Sequence, residues 1–202
     1  MTAAVSALTL AASIYRFIPD DSSGIGILLS FAMLLGVQFS RGVVDERWRL
    51  GGLLAFAFLQ GWQVGPLSRS VFDLDPEIIL NAVIATGLAF VSFSGAAVFS
   101  RRRSYMYLGG LLSVATLILL GTSLFSIMFD FSLYLGLFVF CFYIIYDTQL
   151  MIERMEQSAE ITDRLGVDGA LQLFTDLMGV FVRIMVILSK LNKPKRKERK
   201  RE

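Results

Sequence analysis

The chain has 202 residues, of which 55% are hydrophobic and only 18% charged, and its net charge is +2. Soluble domains run about 45–50% apolar and about 25% charged, so this composition excludes an ordinary soluble domain. Cys141 is the single cysteine and histidine is absent, which excludes an intrachain disulfide, imidazole acid–base chemistry and histidine-type zinc ligation.

Apolar runs near the ~20 residues needed to cross a bilayer recur along the whole chain. The first, 2–18, opens "MTAAVSALTLAASIY". It lacks the basic stretch that precedes the apolar part of a signal peptide, so it reads as a short first membrane helix. Further spans follow at 25–44, 50–68, 78–99, 104–127 and 129–152, then a seventh segment at 169–191. Small residues in "LGGLLAFAF" and "YLGGLLSVA" suit close helix packing, and Gln38, Gln60, Gln63 and Asn81 suit interhelical hydrogen bonds. The expected fold class is all-α. It is a polytopic membrane helix bundle, six spans around a central or re-entrant seventh segment. One domain covers 1–191, followed by a basic tail over 192–202.

Charge sets the expected orientation. Arg41, Arg47 and Arg49 lie between the second and third spans, and Arg101, Arg102 and Arg103 between the fourth and fifth. The alternate connectors are acidic or nearly neutral. Cytosolic loops carry the excess of Lys and Arg, so the N-terminus and the 2–3, 4–5 and 6–7 connectors are expected in the cytosol. A seventh full crossing would put the tail, "KPKRKERKRE", on the other side. Charge alone therefore favours a re-entrant last segment and a cytosolic tail, where the basic residues can meet anionic lipid.

The last segment carries the main chemical signal. Asp168, Gln172, Asp176, Gly179 and Arg183 recur at steps of four, four, three and four, which is one helical face. Such a stripe needs protein or water beside it, not lipid. In the sixth span, "FYIIYDTQLMIE" contains Asp147, about five residues or roughly 7–8 Å from the span's end. Asp176 lies at similar depth counted from the same connector, so the two carboxyls can meet. A charge at mid-bilayer costs ~3 kcal/mol on insertion scales, and sharing a proton or binding a cation relieves that cost. Half-protonated, the pair clamps two helices. Doubly ionised, it repels itself and offers hard oxygen ligands to Ca²⁺.

Asp147 and Asp176 are thus the candidate ion path, pH gate and calcium ligands. Tyr143, Thr148, Gln149 and Gln172 are candidate supporting polar contacts, and Arg183 a candidate counter-ion. The competing reading is a structural pair that only locks the helices. The expected partners are the lipid bilayer, calcium ions and protons. No nucleic-acid partner and no cofactor are expected, with calcium as the transported ion.

Several stretches resemble one family. "SRRRSYMYLGG" (Ser100–Gly110), "YLGLFVFCFYIIYDTQLMIE" (Tyr134–Glu153), "LQLFTDLMGVFVRIMVIL" (Leu171–Leu188) and "LLAFAFLQGWQVGP" (Leu53–Pro66) are similar to the Bax inhibitor-1 family, the transmembrane Bax inhibitor motif proteins. The resemblance covers nearly the whole chain. It implies residence in the endoplasmic reticulum membrane, suppression of cell death, and a pH-sensitive calcium leak that lowers reticulum calcium. It also implies Bcl-2-type or ER-stress regulatory partners and seven helical segments with the last central. The family's di-aspartate sensor falls on Asp147 and Asp176. The chain departs from the family pattern at Gln172, where an acid is common, at Gly169, where a histidine is common, and at Arg41, the only arginine near the second span. Its N-terminus is shorter than the family's, as in an isoform or an incomplete chain.

Two other readings compete with the channel. Tyr146-Asp147 resembles half of an intramembrane aspartyl protease, in which paired acids activate water. That class carries Gly-x-Gly-Asp at its second acid and a Pro-Ala-Leu element, whereas here "LQLFTD" leads to Asp176 and Pro-Ala-Leu is absent. Catalysis is therefore not expected. The third reading is a non-conducting membrane adaptor for cell-death or ER-stress proteins.

Overall fold

The computed structural model describes residues 23–39, 45–100, 107–124, 129–157 and 163–199. Six helices and no strand occur among them: α1 (Ser23–Phe39), α2 (Glu46–Phe72), α3 (Glu77–Phe99), α4 (Leu108–Leu124), α5 (Phe129–Gln157) and α6 (Asp163–Arg199). α3, Asp130–Glu156 of α5 and Gly166–Asn192 of α6 are long and apolar enough to cross a membrane. The protein is an all-α, polytopic helical bundle, as composition implies. The first predicted span, 2–18, and Arg101–Arg103 lie outside the described residues.

Helix ends follow local chemistry. The Asp45 carbonyl accepts the Trp48 and Arg49 N–H groups at 3.1 and 3.3 Å, starting α2 four residues before the predicted span. Pro66 lies inside α2. It removes the backbone donor that would meet the Trp62 carbonyl; separately, the Ser70 hydroxyl donates to the Pro66 carbonyl at 2.9 Å. In the "DLDP" connector, Asp75 Oδ1 accepts the Glu77 N–H at 3.0 Å. That supplies an acceptor for one of the orphan donors at the start of α3.

The chain divides into two compact units. One holds α1, α2 and α6 up to Phe174; the other holds α3, α4, α5 and α6 from Thr175. In the first unit α1 packs on α2. Gly52 allows the close approach, since a Cβ there would stand 2.7 Å from Val37 Cγ2. Gln63 donates to the Ser30 hydroxyl, and Phe56 meets Phe174 edge-to-face with centroids 6.2 Å apart.

In the second unit α5 packs on both α3 and α4. Leu108, Leu112 and Leu119 of α4 form a cluster with Val139 of α5, and Tyr143 and Tyr146 pack against it. Ile78, Ala82, Thr86 and Ala97 make the buried face of α3, while Leu80, Val83, Leu88 and Val91 stay exposed. A largely apolar helix with one apolar face bare is what a lipid-facing span requires.

The last segment does not turn back. α6 is an unbroken helix of 37 residues, about 55 Å long at 1.5 Å per residue. Within the second unit its partners on α5 run in reverse order. Asp176 meets Asp147, Gly179 meets Phe140, Arg183 meets Gly136 and Lys190 meets Asp130. This antiparallel pairing along nearly all of α5 replaces the re-entrant segment that charge alone favoured. Lys and Arg counts bias orientation, whereas within the hydrocarbon an unbroken helix satisfies its own backbone groups. Helical backbone also continues past the predicted start of the tail, to Arg199.

Candidate functional site

Asp147 of α5 and Asp176 of α6 are brought together in the second unit. Their carboxyl groups stand within hydrogen-bonding reach of each other, and the residues are 8% and 5% exposed. A carboxylate only accepts, so two carboxyl groups bond directly only with a proton between them. Asp176 Oδ2 is buried and has no hydrogen-bond partner among the described residues. Such an atom is costly when left unmatched and is a ready acceptor for a proton, a water or a cation. Arg154, two turns further along α5, acts electrostatically on Asp147.

The predicted supporting residues do different work. The Tyr143 hydroxyl pairs with Thr116 Oγ1 of α4 at 2.9 Å. Thr148 Oγ1 donates back to the Ile144 carbonyl of its own helix at 2.6 Å. Gln149 Nε2 donates to the Ala97 carbonyl in the last turn of α3, where carbonyls lack an intrahelical partner. These three brace α5 from its own turns, from α3 and from α4. Gln172 is half-buried, one turn before Asp176, and belongs to the first unit.

Arg183 lies seven residues beyond Asp176, about 10 Å along the axis. Its Nη1 donates to the Gly179 carbonyl at 3.1 Å, and its guanidinium carbon stands 4.4 Å from the Phe140 ring centroid. Two glycines make this seat. A Cβ on Gly136 would collide with the guanidinium, and a Cβ on Gly179 would collide with the Phe140 ring. Each helix thus offers a glycine notch to the other helix's large side chain.

Sequence reasoning missed a second buried charge pair. Arg49 of α2 and Asp168 of α6 form an ion pair in the first unit, with side chains 1% and 7% exposed. Arg49 reads as a connector charge because the apolar run begins at Leu50. The missed signal was Asp168 itself, an acid on a stripe that needs shelter and has a basic residue at the edge of a neighbouring span.

Among the described residues, no group of three or more acidic, cysteine or histidine side chains could hold a metal ion. Calcium takes about six to eight oxygen ligands. Two carboxyls fall short of that number.

Comparisons with known proteins place the chain in a family. The family profile described as "Inhibitor of apoptosis-promoting Bax1" matches residues 1–193. The Bax inhibitor 1 of Oryza sativa subsp. japonica is 38% identical over 211 aligned positions, covering 100% of this chain and 82% of that protein. The Bax inhibitor 1 of Arabidopsis thaliana is 44% identical over 138 positions, 65% of this chain and 54% of that protein. The Bax inhibitor 1 of Homo sapiens is 36% identical over 146 positions, 69% of this chain and 60% of that protein. The chain thus spans little more than half the length of the Arabidopsis and human proteins.

Proposed function

The chain belongs to the Bax inhibitor-1 family, and on that premise we propose that it restrains cell death from within the endoplasmic reticulum membrane by a pH-sensitive calcium leak. The relatives' name, Bax inhibitor 1, supports the restraint of cell death. The observation that carries the second is the buried Asp147–Asp176 pair between two helices of membrane-spanning length. Transport and regulation, not catalysis, is the function this pair suits.

With one proton shared, the carboxyls hold α5 against α6. When that proton leaves, two like charges face each other in a medium of low dielectric constant, where their repulsion is many times stronger than in water. The helices part at this layer, water enters, and the carboxylate oxygens meet a divalent cation. Rising pH therefore opens the path and falling pH closes it. In the cell, the leak lowers reticulum calcium, and Bcl-2-type or ER-stress regulators are the partner class.

Calcium flux into liposomes holding the purified protein, followed from mildly acidic to mildly alkaline pH, tests the gate. Wild type should leak more as pH rises, and Asp147→Asn and Asp176→Asn should not. Equal flux from all three would defeat the gate. Rescue of cell survival by the double variant, with no leak, would support the adaptor reading, which the closed and bonded state of the pair also suits.

A further inference from the structure

Arg183 is a permanent charge inside a span-length helix, and no acidic partner is found for it among the described residues. Its partners among the described residues are a carbonyl, an aromatic ring and the notch at Gly136. The described ion pair of the second unit's α6, Lys190 with Asp130, does not involve it, and Asp176 faces Asp147 instead. Charged residues inside membranes are rare, are normally paired, and mark pathways for ions. An unneutralised guanidinium therefore calls for an explanation beyond packing.

Its position supplies one. Arg183 shares the polar stripe of α6 with Asp176 and lies about 10 Å further along. A cation leaving the carboxylates along that stripe meets the guanidinium next. Phe140 stacks on one side, and Gly179 and Gly136 hold it between the two helices. It cannot swing away without losing those contacts. Both the stacking and the carbonyl bond leave the charge in place and unquenched. A fixed arginine beside a narrow path is a known physical means of excluding cations.

We propose that Arg183 is the electrostatic barrier of the cation path between α5 and α6, so that the leak stays slow even when the carboxylate layer is open. This rests on the leak reading above. A barrier made by one fixed charge scales with the charge of the permeating ion. Removing it therefore favours divalent over monovalent cations in a defined proportion.

The test measures potassium and calcium flux into liposomes for the full chain as wild type, Arg183→Gln and Arg183→Lys. Arg183→Gln should raise potassium flux at least about threefold and calcium flux about tenfold, near the square of the potassium factor. Arg183→Lys retains the charge without the planar stack, and should restore most of the barrier. Equal increases in Gln and Lys variants would assign the effect to packing and overturn the barrier. A wild-type leak that responds to Asp147→Asn but not to Arg183→Gln would overturn the barrier and leave the leak reading intact. Silence from wild type and Arg183→Gln alike would overturn both.

Discussion

Arg49 and Asp168 stand 119 positions apart in sequence and meet as a buried ion pair. Breaking a buried pair by removing one partner strands the other charge, at roughly 3–5 kcal/mol. Asp168→Ala should therefore lower the unfolding midpoint in detergent markedly, and Arg49→Met with Asp168→Leu should recover much of the loss. Equal losses in the single and double variants would show that the pair contributes through packing alone.

Gly179 and Gly95 make a controlled comparison on two helices. A Cβ at Gly179 runs into the Phe140 ring, whereas a Cβ at Gly95 meets nothing within 4 Å. Gly179→Ala should destabilise by about 1–3 kcal/mol through overpacking, and adding Phe140→Leu should relieve part of it. Gly95→Ala should be neutral or stabilising by up to about 1 kcal/mol, the helix propensity difference. Thermal unfolding of the three variants reads the order directly.

Tyr143 reaches Thr116 and not the carboxylates. Tyr143→Phe and Thr116→Val should each cost about 0.5–1 kcal/mol. The double variant should cost little more than either single one, because both remove the same bond. Additive losses in that cycle would place the tyrosine hydroxyl on a different partner.

The acid pair predicts the sign of the pH response. An amide at Asp147 or Asp176 cannot ionise but still hydrogen-bonds, so it imitates the protonated carboxyl. Each Asn variant should hold the leak near its acidic-pH level at every pH. Asp176→Glu keeps the ionisation, and should keep a pH response with an altered flux. A leak rising with pH in Asp147→Asn would point to another titrating group.

Helix existence was legible because membrane spans announce themselves by length and apolarity. The interior boundaries were less so. α2 begins at Glu46 and α5 continues to Gln157, since a helix can run past the hydrocarbon once its polar side chains reach water. The Asp147–Asp176 pairing was also legible. Two acids counted inward from one connector have few places to put their charge, and depth along a helix follows from residue number.

What the residues alone determined, then, was the membrane class, the order of the described helical runs, and the two acids that must find each other. Which polar side chain serves which neighbour was decided only by tertiary structure. Asp168 could have joined the acid stripe, yet it pairs with Arg49. Arg183 could have neutralised Asp176, yet it stacks on Phe140. One helical face carries all three of these α6 residues, and periodicity cannot say which neighbouring helix stands opposite each turn. For Arg183 that choice rests on close approach at Gly136 and Gly179, where the absence of a Cβ on one helix admits a large side chain from the other.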